Sequence, residues 1–336
     1  RSPQEAKRAR RETCCARVRL EELSKARQAL TSSTLAPGTE ATLQQLLARP
    51  RSLTEAIPGD ALAYQPDEPL NVVFSLFVKV LRAAPRGASG GPGGTTNEHL
   101  KIALDDEDTA ALMHRAVQRL SRAEPPQGIV DALMSARMTA LRKPNGKVRG
   151  IATGTAFRRL TASCVARIIG PSVEETCRPF QYALSTRAGT ECVGHLFRAA
   201  CDLDPELCVL SIDGIGAFDN IRRAAMLRKL ASLPKARAAL PFVRLSYATP
   251  TEYVWTDDKG QPHPIPQGEG GEQGDPLMPL LFALGVHDAL ADVSARLLPG
   301  EDLVAFLDDV YVLCKPERVR TVYDWLSDAF GRIAGI

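Results

Sequence analysis

The chain has 336 residues, 44% hydrophobic and 24% charged, a composition typical of a globular protein large enough for two or three compact units. Its net charge of +3 is too small to indicate a nucleic-acid partner by itself, and no apolar run approaches the roughly 18–20 residues of a membrane span. Eight dispersed cysteines lack the paired spacing of a zinc site, which favours reduced thiols in an intracellular, cytosolic or nuclear protein.

Helical periodicity dominates the N-terminal part of the chain. We predict helices over residues 4–30, 39–48 and 69–84, with a connector rich in Pro and Gly over residues 49–68. Residues 1–30 carry nine Lys or Arg against four Glu, which fits either a phosphate-binding arm or a solvated basic helix. A glycine-rich segment over residues 86–98 lacks P-loop spacing, so it is either a phosphate-contacting loop or a flexible loop before a helix.

A hairpin rich in cations follows two further predicted helices (residues 97–104 and 108–123). Short strands over residues 137–141 and 148–151 flank Pro144-Asn145-Gly146, which is a strong turn signal. The hairpin carries Lys143, Lys147 and Arg149, and we call it the basic ribbon. Such cations suit a polyphosphate ligand, although a basic exposed hairpin is equally an ordinary soluble surface.

The C-terminal half alternates strands with helices. Strands are expected over residues 207–213, 253–255 and near 265, and helices over residues 155–169, 191–200, 221–233, 238–247, 277–290 and 319–333. A segment over residues 268–276, which we call the Gln-Gly loop, precedes the apolar helix that starts at residue 277. This order predicts an α+β fold with a central antiparallel sheet and helices packed on one face.

Acidic residues stand at the ends of two apolar strands. Asp213 ends the first, and Asp308 and Asp309 separate two apolar runs that predict a hairpin. Asp is common in turns, so the pair taken alone is either a solvated turn or part of a metal site. Together with Asp213, the pair could form a divalent-metal site at one end of a sheet.

Six motifs in this order resemble the fingers and palm of a reverse transcriptase of the non-LTR retrotransposon and group II intron type. Each is weak alone, whereas the ordered set is specific and extends over about three quarters of the chain. The motifs are Gly91-Pro92-Gly93-Gly94 through Glu98-His99-Leu100-Lys101, Lys143-Pro144-Asn145-Gly146-Lys147-Val148-Arg149, residues 181–189, Asp213-Gly214-Ile215-Gly216-Ala217-Phe218-Asp219, Gln273-Gly274-Asp275-Pro276-Leu277-Met278 and Phe306-Leu307-Asp308-Asp309.

The resemblance implies a right-hand polymerase that copies an RNA or DNA template from a DNA primer and dNTPs. It divides the chain into an N-terminal helical extension and connector (residues 1–85), fingers with the first part of the palm (residues 86–200) and a palm (residues 201–336) that ends before a thumb. It also implies two Mg²⁺ ions, with Mn²⁺ as a substitute, and a nuclear retrotransposon polyprotein whose thumb and endonuclease lie outside these residues. No membrane partner is expected.

The resemblance also assigns roles to individual residues. Asp213, Asp308 and Asp309 are the expected catalytic acids and metal-binding residues, with Asp213 and Asp308 as the main ligands and Asp309 as a partial or supporting ligand. The aromatic ring of Phe218 is the expected sugar gate, meaning a side chain that excludes a ribose 2′-OH, although a core aromatic is the alternative. The other expected dNTP-binding residues are Lys143, Lys147, Arg149, Gly216, Ala217, Gln273 and Gly274.

Some positions depart from the family pattern. Gly150 replaces a Pro, Ala183-Leu184 replaces Gly-Phe, and Met278 replaces a Ser, which puts the fine positioning of the nucleotide in question. A catalytically inactive nucleic-acid-binding scaffold and an RNA-synthesising polymerase on the same palm are the competing hypotheses. The intact acids disfavour the first, and Phe218 disfavours the second.

Overall fold

The computed structural model describes residues 3–19, 21–31, 34–214 and 216–334, which contain both α-helices and β-strands. The strands are β1 (Ala136–Arg142), β2 (Val148–Gly154), β3 (Cys208–Asp213), β4 (Thr251–Thr256), β5 (Pro262–Gln267), β6 (Asp302–Phe306) and β7 (Asp309–Cys314). The helices are α1 (Pro3–Arg19), α2 (Leu23–Thr31), α3 (Glu40–Leu47), α4 (Gly59–Ala63), α5 (Phe74–Ala83), α6 (Asn97–Lys101), α7 (Glu107–Ser121), α8 (Gln127–Met134), α9 (Ala156–Cys177), α10 (Gly189–Leu203), α11 (Ala217–Asn220), α12 (Arg223–Ala231), α13 (Leu240–Tyr247), α14 (Met278–Ser294) and α15 (Val319–Ala334).

The strands form two sheets rather than the single central sheet predicted above. A three-stranded antiparallel sheet has the order β3-β7-β6, and a four-stranded sheet has the order β2-β1-β4-β5. The second sheet joins two hairpins through a short parallel contact between β1 and β4. Alternating hydrophobicity locates each strand, but it does not say which strands pair across long connections. The mixed α/β character is confirmed, and the single sheet is corrected to two.

The largest hydrophobic core surrounds α14. Apolar residues cover nearly the whole circumference of this helix, as expected for a helix enclosed by other elements. The core includes inward-facing residues of β6 and β7 and the apolar face of α15. In β3 the exposed positions alternate with half-buried ones, so one side of that strand is open. The core around α14 therefore packs against one side of the antiparallel sheet, and the exposed residues of β3 lie on the other side.

The N-terminal segment departs from prediction in two places. The helix predicted over residues 4–30 is two helices, α1 and α2, which are separated where Glu21 adopts a φ of 59°. Leu20 lies outside the described residues. Glu22 accepts hydrogen bonds from Arg17 Nη1 (2.5 Å) and Lys25 Nζ (2.6 Å), and these contacts stabilise the bend. No Pro or Gly marks this break, so periodicity alone could not find it.

Two helix boundaries also differ from their predictions. The helix predicted over residues 69–84 begins only at Phe74, because Val73 is still extended. The helix predicted to end at residue 169 continues to Cys177 and contains Pro171. None of the helices in the described part of the chain combines the length and apolar character needed to cross a membrane.

Candidate active site

Three carboxylates meet at one end of the antiparallel sheet. Asp213 is the last residue of β3 and stands directly opposite Asp309, the first residue of β7. Side chains at directly opposed positions have Cβ atoms about 4.5–5.5 Å apart. Asp308 belongs to the two-residue turn between β6 and β7. The predicted hairpin is confirmed, and the register brings the three acids together.

In the described part of the chain, these acids have no cationic partner. In the ranges that the structure describes, none of the three carboxylates accepts a hydrogen bond or ion pair from another side chain. Burial raises the pKa of Asp309, and the negative charges of Asp308 and Asp213 raise it further. Like charges directly opposed across strands are destabilising, so a bound cation would relieve a repulsion built into the sheet.

A cleft opens beside the acids. Its volume is about 340 Å³, and Asp213 and Asp308 both line it, as do Gly214 and the α15 residues Tyr323 and Phe330. Among the described residues, no three His, Cys, Asp or Glu side chains form a ready-made metal-binding cluster. Mg²⁺ commonly takes only one or two protein carboxylates and completes its shell with water and substrate phosphates. The carboxylate oxygens present fit such a site.

The amide of Gln181 fixes the turn that carries Asp308. Its Oε1 accepts a hydrogen bond from Leu307 N (3.0 Å), and its Nε2 donates to Leu307 O (3.3 Å). Leu307 has a φ of 56°, a left-handed conformation that is unfavourable for a branched side chain and needs such support. Gln181 is only 4% exposed. Gln181 is the first residue of the motif over residues 181–189, but the sequence alone assigns it no role.

The predicted sugar gate lies on α11, directly after β3. The ring of Phe218 is half-buried and stacks on Phe282 of α14, with centroids 4.6 Å apart and planes inclined by 13°. Ala217 is buried, and the carbonyl oxygen of Gly216 accepts a hydrogen bond from Asp219 N (2.8 Å). Ile215 lies outside the described residues. The stacking holds the ring in a defined orientation near the end of β3.

The basic ribbon brings two of its three predicted cations towards α11. Burial raises the pKa of Asp219, and the positive charges of Arg49, Arg149 and Lys143 oppose that rise. Lys143 and Arg149 are therefore close enough to influence an acid next to Phe218. Lys147 is exposed beside the hairpin turn. Asp219 and Arg49 had no assigned role in the sequence analysis.

Buried acids anchor the Gln-Gly loop from three sides. Glu269 Oε1 accepts hydrogen bonds from the Thr54 amide and hydroxyl, and Glu269 Oε2 accepts one from Arg223 N. Glu272 pairs with Arg158 of α9 in the core, and the Asp275 carboxylate accepts a hydrogen bond from the Tyr247 hydroxyl. The connector over residues 49–68 is thus part of the support for this loop.

The tip of the Gln-Gly loop lies against β2. Gln273 is exposed, and a Cβ atom on Gly274 would lie 3.2 Å from the carbonyl oxygen of Ala152 in β2. Met278, which replaces the usual Ser, is fully buried and packs against Gly271. This departure therefore changes the packing beneath the loop.

Comparisons with known proteins agree with the motifs. Residues 141–331 match the family described as reverse transcriptase (RNA-dependent DNA polymerase). A retrotransposable element SLACS 132 kDa protein from Trypanosoma brucei gambiense is 25% identical over 247 residues, which are 72% of this chain. The chain covers only 20% of that relative's length. A solved structure of telomerase from Candida albicans with a telomeric RNA fragment aligns with a TM-score of 0.45 at 14% identity, over 62% of this chain and 40% of that one.

Proposed function

The chain belongs to the reverse transcriptase (RNA-dependent DNA polymerase) family, and we propose that it synthesises DNA from dNTPs on an RNA or DNA template. One observation carries the proposal: Asp213 and Asp309 are opposed in register, Asp308 adjoins them, and all three lack cationic partners in the described ranges. Adjacent carboxylates repel one another unless a counter-charge is present. Three unpaired acids at one sheet end are better explained by a role in binding cations.

The donor set suits divalent magnesium, with manganese as a substitute. Asp213 and Asp308, which share the cleft, would be the ligands, and Asp309 would support them from across the strand pair. Two such ions, when bound, would supply charge stabilisation for phosphoryl transfer. The hydrogen bonds of Gln181 to Leu307 hold the Asp308 turn in place during this chemistry.

The remaining residues would hold the incoming nucleotide. Arg149 can bind two phosphate oxygens at once, whereas Lys143 acts as a point charge. Lys147, at the exposed turn, would contribute less. The ring of Phe218 would lie against the sugar and exclude a 2′-OH, with Gly216 and Ala217 shaping the backbone beside it.

The Gln-Gly loop would complete the nucleotide site on its other side. Gln273 is exposed at the tip, and Gly274 lies against β2, so the loop borders the space between ribbon and sheet. We assign Gln273 and the Gly274 backbone to the base and template side of the pocket.

The similarity to a retrotransposable-element protein supports a proposal about the wider context. We propose that the chain acts within a longer retrotransposon protein, with an RNA template and a DNA primer as partners and the nucleus as its site of action. On this account residues 86–200 are the fingers and residues 201–336 belong to the palm. The thumb and an endonuclease would be supplied by other parts of that protein.

Primer extension tests the proposal. With poly(rA), an oligo(dT) primer, dTTP and Mg²⁺ or Mn²⁺, the chain should incorporate dTMP. Asp308→Ala should lower kcat by about a hundredfold or more, because a metal ligand should matter at least as much as one transition-state donor. Asp302→Ala removes an exposed acid from the same hairpin and should leave the rate unchanged.

Two results would contradict the proposal. Incorporation that persists in Asp308→Ala would mean that this carboxylate is not a catalytic ligand. Tight RNA binding with no incorporation by the unaltered chain would favour the nucleic-acid-binding scaffold instead.

A further inference from the structure

Arg49 joins three parts of the site from outside the family match. It lies just beyond α3, and its Nη1 donates to Asp219 Oδ1 (3.0 Å) and to Gln267 Oε1 (3.1 Å). Its Nη2 donates to the carbonyl oxygen of Gly150 (2.8 Å), which directly follows Arg149 in β2. One guanidinium therefore bonds to the basic ribbon, to β5 and to the segment that carries Phe218.

Asp219 would otherwise interfere with nucleotide binding. The side chain of Asp219 is 19% exposed, and that of its ion-pair partner Arg49 is 12% exposed. Water therefore solvates the Asp219 carboxylate poorly. The nearby cations Arg149 and Lys143 have no ion-pair or hydrogen-bond partner for their side chains in the part of the chain that the structure describes. An unsatisfied Asp219 would attract those two cations, because a half-buried carboxylate needs a counter-charge.

The packing around Gly150 is shaped to admit Arg49. A Cβ atom at this position would lie 2.7 Å from Met138 Sδ, 2.8 Å from Leu46 Cδ2 and 3.0 Å from Arg49 Nη2. A residue with a Cβ atom would therefore crowd Met138, Leu46 and the Arg49 guanidinium together. The glycine that replaces the family's usual Pro thus coincides with the contact that Arg49 makes.

We propose that Arg49 is a positioning residue for nucleotide binding, which neutralises Asp219 so that Arg149 and Lys143 remain available to the triphosphate. It also ties the ribbon to the α11 segment, so the triphosphate-binding cations and the sugar gate keep a fixed separation. This inference rests on the proposed polymerase function, because it assumes that the two cations receive a dNTP.

Steady-state primer extension with a matched set of variants tests the inference. Arg49→Met should raise the KM for dTTP by about tenfold, the equivalent of one lost charge-assisted contact, with a much smaller change in kcat. Asp219→Asn alone should change KM little. The double variant Arg49→Met/Asp219→Asn should recover most of the lost KM, because no acid is left to capture Arg149.

Two further variants separate charge from geometry. Arg49→Lys keeps the charge but cannot bond to all three acceptors, so its KM should lie between those of the wild type and Arg49→Met. Arg51→Met is the control, since Arg51 is exposed and its side chain donates to the Leu47 carbonyl oxygen and to no other described residue. An unchanged KM in Arg49→Met, or a double variant as impaired as the single one, would overturn the inference.

Amide hydrogen exchange gives a readout that does not depend on activity. Arg49→Met should lose protection locally, over residues 148–151 and 216–221, while the α14 core remains protected. Unchanged protection there, or loss throughout the chain, would overturn the inference even if the unaltered chain incorporates nothing. Failure of incorporation with local loss of protection would instead reject the proposed function and leave the positioning contact established.

Discussion

The buried ion pair between Arg158 and Glu272 connects α9 to the Gln-Gly loop, and substitution of Arg158 tests how much this pair stabilises the loop. Arg158 lies on α9 and is 3% exposed, whereas Glu272 lies in the loop and is 1% exposed. Arg158 Nη1 also donates to the carbonyl oxygen of Met134 (2.9 Å). Arg158→Met keeps a long apolar side chain but removes the only positive charge paired with Glu272 in the described part of the chain.

The expected loss of unfolding free energy is about 3–5 kcal/mol, because removing one partner leaves an uncompensated buried charge. Burial raises the pKa of Glu272 above its ordinary value of 4.5, Arg158 opposes that rise, and the negative charge of Asp275 adds to it. Without Arg158 the folded-state pKa would rise further. When folding raises the pKa of a carboxyl, the protein loses stability as pH rises from the pKa of that carboxyl in the unfolded state through its pKa in the folded state.

Because the pKa of Glu272 is raised in the folded state, the loss of unfolding free energy in Arg158→Met should depend on pH. The loss caused by Arg158→Met should be smaller at pH 5 than at pH 8, because at the lower pH Glu272 can be protonated in the variant. Urea unfolding followed by circular dichroism at both pH values measures the difference.

Two controls accompany this measurement. Arg167→Met changes an exposed arginine on the same helix and should cost no more than about 0.5 kcal/mol. The double variant Arg158→Met/Glu272→Leu should recover most of the loss, because an apolar pair can replace a buried ion pair. A loss below about 1 kcal/mol for Arg158→Met, or a loss independent of pH, would refute the reasoning.

Three further predictions concern the nucleotide site. Phe218→Val should raise the ratio of ribonucleotide to deoxynucleotide incorporation by about tenfold or more in a competition assay, and an unchanged ratio would remove the gate assignment. Gly270→Ala should lower the free energy of unfolding by at least about 2 kcal/mol, as measured by thermal unfolding. Gly270 has a φ of +68°, and a Cβ atom there would lie 2.4 Å from the carbonyl carbon of Asp219. Arg149→Met should raise the KM for dTTP by about tenfold, whereas Lys147→Met should raise it less than about threefold, and equal effects would contradict the placement of the two cations.

The acid pair and its partner could be predicted from sequence because each residue stands at the end of an apolar strand. Strand patterns with turn signals located the β6–β7 hairpin and the basic ribbon to within a few residues. The family pattern then indicated that Asp213 and the hairpin belong together. Their direct opposition depends on the pairing register, which local periodicity does not determine.

The supporting contacts could not be predicted, because they join segments that are far apart in the chain. Gln181 contacts Leu307 across 126 positions, and Arg49 contacts Asp219 across 170. A polar residue in a connector gives no local sign of its partner. The arrangement in two sheets could not be predicted for the same reason. The four-stranded sheet depends on a short parallel contact between β1 and β4, which are far apart in the chain.

The central claim is that Asp213 and Asp308 hold divalent metal for phosphoryl transfer. Electron paramagnetic resonance of Mn²⁺ titrated into the chain with template–primer and dTTP measures this binding directly. The account predicts that Asp213→Asn/Asp308→Asn weakens Mn²⁺ binding by about tenfold or more, whereas Asp302→Asn binds as the wild type does. Equal Mn²⁺ affinity in all three proteins would contradict the claim.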